Sequence, residues 1–406
     1  MLMDRYSFRH YLTGAAAART GDEMSGPALL LLGLSVTGSP ALGSALLAGL
    51  MISSGVGGPV LGALLDRSPA PGRLLGLALT VYAGGVAIVA ALVGSAPAAL
   101  AVALAVLAGC AGPALTGGWT SQLPRVVAPS AVLRAFSLDA ATYSAASLAG
   151  PALAGVVAAA LGARWAVAVA VGLLVAAVPA AVRMPRRAAA AGAASDASPP
   201  RALHAELAHG IRAIAERPPL LAATVATMLS SAGFAGFVVA SPLVGQQLAG
   251  SAAAGTVLLS ALAVGSLLGA GALARRPWPG RPESLLVTTT ALLGAMFAVI
   301  AAAHAFALAI AAAFVAGVAE GPQLAAVFQV RHREAPEALR SQLFTTAASV
   351  KMSAFALGSA AAGALAVRSV AACLLATAGA QALAVAAVAL LTARERRRPE
   401  ARTAPA

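Results

Sequence analysis

The chain has 406 residues, of which 60% are hydrophobic and only 10% are charged, whereas a soluble domain carries about 25% charged residues. The net charge of +13 comes from arginines that alternate with apolar runs instead of forming one patch, which excludes a nucleic-acid-binding surface. The two cysteines, Cys110 and Cys373, lie in separate apolar runs, which excludes a disulfide framework and a cysteine metal site.

Apolar runs of about 20 residues recur along the whole chain, and each can cross a bilayer core of about 30 Å. We therefore predict an all-α polytopic membrane protein with 12 transmembrane helices in two six-helix halves. The predicted spans are roughly 9–36, 41–64, 73–94, 98–122, 132–160, 163–182, 219–245, 252–274, 284–304, 306–330, 338–366 and 369–392.

The placement of arginine predicts the orientation of these spans. The candidate inner segments hold 23 of the 27 basic residues, and the candidate outer turns hold only Arg164 and Arg368. Because cytoplasmic loops collect Lys and Arg, we predict a multi-pass protein of the plasma membrane with both termini in the cytoplasm. The N-terminus shows no pattern of a cleaved signal peptide, so the first helix is expected to direct insertion.

A charged hairpin follows the second span, at residues 62–75. Its prolines and glycine forbid a continuous helix, because proline lacks a backbone N–H and clashes with the preceding turn. A related stretch recurs at residues 271–281, about half the chain further on. This repetition predicts two homologous halves.

The hairpin resembles the loop motif of the major facilitator superfamily (MFS), Gly-x-Leu-Ala-Asp-Arg-x-Gly-Arg-Arg, between transmembrane helices 2 and 3. Leu64 falls on it, together with the gating-loop candidates Gly62, Asp66, Arg67, Gly72 and Arg73, the last two after three extra residues. The resemblance implies the MFS fold and a gating role for this loop. A solvated charge pair at a helix end is the alternative for Asp66 and Arg67.

The predicted organisation has four parts: a six-helix bundle over 1–184, a cytoplasmic linker over 185–217, a second bundle over 218–393 and a cytoplasmic tail over 394–406. The first part of the linker has a flexible composition. From Arg201 onward, apolar residues recur on one helical face, which indicates an amphipathic helix lying on the inner membrane surface.

Charged residues within the spans are candidates for function, because a charge near the bilayer centre costs at least about 2.5–3.5 kcal/mol. Four acids and two bases fall there, and an excess of carboxylate suits a site that takes up protons or a cationic substrate. With a neighbouring glutamine, the proton or substrate candidates are Arg19, Asp22, Glu23, Asp139, Glu320, Gln323 and Lys351.

Each of these candidates also has a structural alternative. Arg19 shares a helical face with Asp22 and Glu23, so an internal ion pair would neutralise part of their charge. Asp139 lies about two turns from a helix end, where capping or a salt bridge would explain it. Glu320 and Lys351 have similar predicted depths of about 16 Å, and we predict that they pair.

A second resemblance lies in the fifth span. Gly150-Pro151-Ala-Leu-Ala-Gly155 resembles the Gly-Pro-x-x-Gly-Gly signature of drug–proton antiporters in the same superfamily. Its physical role would be a helix bend and a close approach between helices, and ordinary packing of small residues is the alternative. The buried arginine that these antiporters carry in helix 4 has no match in 98–122.

The predicted function is proton-coupled efflux of a small organic or drug-like solute by alternating access, in a monomer. The helices that line the cavity in the superfamily are mostly apolar here, which favours an amphipathic solute over a sugar. Uptake by symport and a non-transporting membrane scaffold or sensor remain alternatives. Zinc-protease, phosphate-loop and nucleophile-elbow motifs do not occur, so we predict neither an enzyme nor a cofactor.

Overall fold

The computed structural model describes residues 7–37, 40–186 and 203–402, and these residues form helices and turns without a β-strand. In chain order the helices are α1 (Phe8–Thr37), α2 (Pro40–Ile52), α3 (Ser54–Arg67), α4 (Pro71–Leu92), α5 (Ala98–Gly109), α6 (Trp119–Ser121), α7 (Val132–Leu161), α8 (Ala163–Val182), α9 (Leu203–Glu216), α10 (Pro218–Ala249), α11 (Gly255–Arg275), α12 (Pro282–Ala301), α13 (Phe306–Glu334), α14 (Arg340–Ala366) and α15 (Val370–Arg402).

The helices confirm a multi-pass membrane protein. Within the described residues, ten helical segments are long and apolar enough to cross a membrane, and the bent pair α2 and α3 brings the number to eleven. The 30-residue helix α1 is long enough but carries Arg19, Asp22 and Glu23, which lower its apolarity. A total of twelve spans, as predicted, is therefore reached only if α1 also crosses the membrane.

The helices are arranged in two compact units. Unit 1 comprises Met1–Val132, Ala145–Ile211 and Pro336–Ser349, and unit 2 comprises Leu133–Ser144, Arg212–Ala335 and Val350–Ala406. In unit 1, helices α1, α2, α5, α4 and α8 pack in that order and close a ring. In unit 2, α10, α11, α13, α12 and α15 close a ring in the corresponding order. The five helices of each ring thus follow the same packing order in both units.

Two predicted spans are not continuous α-helices. The second is divided into α2 and α3, which meet at Ser53 with a bend of 42°. Pro59 lies inside α3 and cannot donate a hydrogen bond to the preceding turn. The fourth span is interrupted after α5, and a π-helical segment, Ala114–Gly118, follows Pro113. Proline also explains this break, because its ring removes one helical donor.

The charged hairpins lie where the sequence predicts them. Helix α3 ends at Arg67 and α4 begins at Pro71, whose fixed φ suits the first helical position. In the second copy, α11 ends at Arg275 and α12 begins at Pro282.

Within the linker predicted over 185–217, Leu203–Glu216 form the helix α9, whereas residues 187–202, which include most of the predicted flexible part, lie outside the described residues. The last helix differs from the prediction, because α15 continues through the arginine-rich segment to Arg402. The alanine, arginine and glutamate residues of this segment have high helix propensity, whereas Pro399 supplies no helical N–H.

Candidate functional site

Asp66, in the last turn of α3, binds the first turn of α14 within unit 1. Its carboxylate accepts the backbone N–H of Ser341 on Oδ1 at 2.9 Å and that of Gln342 on Oδ2 at 2.8 Å. The side chain is buried, with 5% relative exposure. The first N–H groups of a helix lack partners within the helix and form the positive end of its dipole. A carboxylate therefore stabilises them both as a hydrogen-bond acceptor and through its negative charge.

Glycines on α3 allow α14 to lie close to this carboxylate. A Cβ at Gly62 would overlap the backbone of Gln342 and the hydroxyl of Thr345, and a Cβ at Gly58 would overlap Ser349. Gly117, in the π-helical segment, faces the backbone of Phe344 in the same way. The first turns of α14 are therefore docked on α3 and on the π-helical segment.

The other gating-loop candidates have different surroundings. Gly72 packs α4 against α8, because a Cβ there would overlap the carbonyl of Ala181. Arg67 and Arg73 are exposed at the ends of α3 and α4. Gly62 and Asp66 are thus gating-loop candidates that contact α14.

Ser121 and Gln122 extend the Asp66 contact. The hydroxyl of Ser121 donates to Ser341 Oγ at 3.2 Å, and Gln122 Nε2 donates to the same oxygen at 3.2 Å. The guanidinium of Arg125 donates to Gln122 Oε1 at 2.7 Å. Sequence reasoning missed Ser341 and Gln342, because Asp66 binds their backbone N–H groups and these leave no mark in the sequence.

Two charged residues of α1, Arg19 and Asp22, form hydrogen bonds with different residues of unit 1. Arg19, with 1% relative exposure, donates from Nη2 to Thr120 Oγ1 at 2.9 Å. The carboxylate of Asp22 is hydrogen-bonded to the hydroxyl of Tyr82, which also bonds Ser25. Among the described residues, Asp22 takes part in no ion pair, so its partner is a hydroxyl group.

Glu23 lies where α1 meets α7. A Cβ at Gly150 would lie 2.6 Å from the Cβ of Glu23, so glycine permits this contact. Pro151 lies inside the continuous helix α7, and a Cβ at Gly155 would meet nothing within 4 Å. The close approach expected of this motif therefore occurs at Gly150 and not at Gly155.

Glu320, on α13 in unit 2, accepts a hydrogen bond on Oε2 from the hydroxyl of Ser266 on α11. The hydroxyl of Ser144, on α7, lies 2.6 Å from Ser266 Oγ. Both serines are buried. Three helices thus converge on one carboxylate through a chain of two hydroxyl groups.

Two interlocking glycine pairs bring Ser266 and Glu320 together. On α11, Gly265 faces the carbonyl of Phe314 and Gly269 faces that of Val318. On α13, Gly317 faces the carbonyl of Leu262 and Gly321 faces that of Ser266. Each pair has the spacing Gly-x-x-x-Gly, which lets the backbones of two membrane helices touch. This spacing was visible in the sequence and could have indicated the contact.

Gln323 is bound one turn further along α13. Its Nε2 donates to Thr290 Oγ1 at 2.7 Å and to Ser230 Oγ at 3.2 Å. Gln381, buried on α15, donates from Nε2 to the backbone carbonyl of Ser230 at 3.1 Å. Four helices of unit 2 thereby share one hydrogen-bond network.

The predicted pair between Glu320 and Lys351 does not form in the described structure, where neither residue takes part in an ion pair. Lys351 is half-buried on α14. Asp139 is fully buried on α7, near Phe136 and Tyr143, which both pack on Phe328 of α13. Within the described part of the chain, no cluster of His, Cys, Asp and Glu has the arrangement of a metal site.

Comparisons with known proteins agree with this architecture. The family profile described as Major Facilitator Superfamily matches residues 11–362. No curated protein sequence matches the chain significantly.

Several solved structures have a similar fold. The human organic anion transporter MFSD10 (TETRAN) is 16% identical, with a TM-score of 0.73 over 95% of this chain and 99% of that chain. A bacterial homologue of the iron transporter ferroportin, in an outward-facing state, is 14% identical, with a TM-score of 0.75 over 95% and 99%. A variant of the E. coli fucose:proton symporter FucP is 12% identical, with a TM-score of 0.73 over 95% and 98%.

At such low identity these three structures show a shared fold and no shared solute. The family profile covers most of the chain, and the helices form two rings with the same packing order. The chain therefore belongs to the Major Facilitator Superfamily, and it is a secondary transporter.

Proposed function

We propose that the protein exports a small organic, drug-like solute in exchange for protons, by alternating access. The observation that carries this proposal is the hydrogen bond from Ser266 to Glu320 inside spanning helices, where Glu320 has no basic partner among the described residues. A carboxylate that an arginine or lysine neutralises would have little reason to take up a proton. A carboxylate held by a hydroxyl group can exist in either state.

The chemistry of the serine hydroxyl supports this role. A hydroxyl group donates to an ionised carboxylate and accepts from a protonated carboxyl group. Ser266 can therefore form a hydrogen bond with Glu320 in both states. A carboxyl group that keeps its hydrogen bond in both states suits a step that binds and releases a proton during a transport cycle.

Asp22 is the second candidate for a proton site. It lies on α1 and is hydrogen-bonded to Tyr82, again a hydroxyl that can donate or accept. One acid in each unit is thus held by hydroxyl groups in spanning or candidate spanning helices. Protonation of either acid would change its hydrogen bonds and bias the equilibrium between conformations.

Asp66 is proposed to act as a latch for the inner side of the transporter. Its contact with the first turn of α14 joins a helix of the first half of the sequence to one of the second half. A conformational change that separates these helices must break two hydrogen bonds to a buried carboxylate. The contact can therefore exist in one state of the cycle and be lost in another.

The solute class follows from the apolar composition of the spans that line the cavity in this superfamily. The related structures are those of an organic anion transporter, an iron transporter homologue and a fucose:proton symporter, so the shared fold does not select among solutes. We favour an amphipathic organic compound, because an apolar lining offers few hydrogen-bond partners.

Inside-out membrane vesicles with an acidic interior test the proposal. The probes are amphipathic organic compounds, with ethidium as the first. Exchange predicts that adding a transported probe releases protons from the vesicles, whereas symport predicts that probe and protons move in the same direction. A scaffold or sensor predicts neither flux. Glu320→Gln should abolish the proton movement at unchanged abundance in the membrane, and an unchanged proton release would contradict the role of Glu320.

A further inference from the structure

The hydroxyl groups of Ser266 and Ser144 link Glu320 to the backbone carbonyl of Ala140 in a linear series of contacts, called the string below. Ser266 donates to Glu320 Oε2, and Ser144 Oγ lies 2.6 Å from Ser266 Oγ. On its other side, Ser144 Oγ lies 3.4 Å from the carbonyl oxygen of Ala140, one turn earlier on α7. All these groups lie in unit 2, and both serines are buried.

When Glu320 is ionised, only one choice of donor and acceptor is possible for each hydrogen bond in the string. Each serine has one proton to donate and two lone pairs to accept with. Because Ser266 gives its proton to the carboxylate, the short contact between the two serines requires Ser144 to donate to Ser266. The proton of Ser144 is then used, and the carbonyl of Ala140 receives no hydrogen bond from it.

Protonation of Glu320 permits the opposite direction. The neutral carboxyl group donates to Ser266, Ser266 donates to Ser144, and Ser144 donates to the carbonyl of Ala140. Every hydroxyl proton has an acceptor in both arrangements. The two arrangements differ by the one proton on Glu320, and no other group gains or loses a proton.

We propose that Ser266 and Ser144 are positioning residues that transmit the protonation state of Glu320 to α7 by reversing this string. The inference rests on the proposed role of Glu320 as a proton site. A serine that donates to the carbonyl one turn earlier competes with the helix hydrogen bond there and bends the helix. Ser144 lies six residues before Gly150 and seven before Pro151, which already lacks a helical donor.

The helices around this string carry few other charged or titratable groups in their middle parts. Helix α10 carries none, α11 has only Arg275 in its last turn, and α12 has only Glu283 in its first turn. Lys351 of α14 makes no ion pair with Glu320. The remaining titratable groups on α7, α13 and α15 are Arg134, Asp139, Tyr143, Arg331, His332, Arg333, Glu334, Cys373 and the residues of the segment from Arg394 to Arg402.

The first measurement titrates Glu320 itself and needs no solute. Infrared difference spectra of the purified protein in liposomes are recorded against pH, and the protonated-carboxyl band that Glu320→Gln removes belongs to Glu320. Ser266→Ala removes the hydrogen-bond partner of this carboxyl group, so the frequency of its band should shift. Ser266→Thr restores the hydroxyl group and should return the band to its wild-type frequency.

The second measurement follows α7 by hydrogen–deuterium exchange, corrected for the intrinsic effect of pH. In the wild type, the protection of amides near residues 140–148 should change by roughly 3-fold across the Glu320 midpoint. Ser144→Ala should abolish this change while Ser144→Thr retains it. Ser137→Ala is the matched control, because Ser137 is a buried serine of α7 that donates only to Leu133 of its own helix.

The outcomes separate the two proposals. If Glu320→Gln removes the carboxyl band but Ser144→Ala leaves the pH-dependent protection of α7 unchanged, the string does not transmit protonation and this inference is overturned. If Glu320→Gln removes no titrating band, Glu320 is not a proton site and the proposed function fails at that residue. Loss of the pH dependence in both Ser144→Ala and Ser137→Ala would also overturn the inference, since any α7 serine would then suffice.

Discussion

The backbone N–H of Gln342 donates to the carboxylate of Asp66 at 2.8 Å, which joins the last turn of α3 to the first turn of α14. A second donor, the N–H of Ser341, binds the other carboxylate oxygen. The carboxylate therefore occupies the place of a helix-capping group, although it comes from another helix far away in the sequence. This relationship ties the charged hairpin to the start of α14.

Replacing Asp66 by alanine should loosen the start of α14. Loss of a capping carboxylate costs about 1–2 kcal/mol, so the amides of 336–349 should exchange with deuterium about 10-fold faster. Arg73→Ala provides the control in the same hairpin, because Arg73 is exposed. Equal exchange in the Asp66 and Arg73 variants would show that the carboxylate does not hold α14.

The repeated hairpin provides a matched pair of glycine variants. Gly62→Ala places a Cβ against the backbone of Gln342, whereas Gly271→Ala meets only the far end of Arg275 at 3.7 Å. Overpacking typically costs about 1–3 kcal/mol. We expect Gly62→Ala to lower the melting temperature in detergent and Gly271→Ala to leave it unchanged. Equal melting temperatures would refute a tight contact at Gly62.

Close packing of α11 on α13 predicts a similar contrast within unit 2. Gly321→Ala pushes a methyl group into the carbonyl of Ser266, next to the residue that donates to Glu320. Gly379→Ala, on α15, meets nothing within 4 Å. The first variant should be destabilised by about 1–3 kcal/mol, and the second should not. Thermal unfolding monitored by tryptophan fluorescence would measure both, and a stable Gly321→Ala protein would contradict the close approach.

Lys351→Met should not reproduce the effect of Glu320→Gln. The lysine forms no ion pair with Glu320 in the described structure, so removing its charge leaves the hydrogen bond from Ser266 in place. We expect solute-induced proton release from vesicles to persist in the lysine variant. Loss of proton release in both variants would indicate that the two charges act together.

Much of the fold could be predicted from the sequence, because long apolar runs and proline-glycine turns set the helix ends. The span predicted at 163–182 coincides with α8, and the amphipathic segment is α9. The sequence analysis did not predict the bend at Ser53 or the π-helical segment after Pro113. Both lie near a proline inside an apolar run, where hydrophobicity alone does not distinguish a straight helix from a broken one.

The site was harder to predict, because depth along a helix does not determine the direction in which a side chain points. Glu320 and Lys351 have similar depths, yet Glu320 is bound to Ser266 on α11. A single serine among leucines and alanines carries no distinctive signal. The glycine spacings at 265–269 and 317–321 did carry one, since they predict which faces of α11 and α13 touch.

The central claim is that Glu320 couples proton movement to solute movement, and proton release from acidified inside-out vesicles tests it most directly. Wild-type, Glu320→Gln and Glu337→Gln proteins are compared at equal abundance, with a solute that the wild type transports; Glu337 is an exposed acid and serves as the control. We predict that Glu320→Gln still exchanges solute but releases no protons, while Glu337→Gln behaves as the wild type. Proton release by Glu320→Gln at the wild-type rate would contradict the claim.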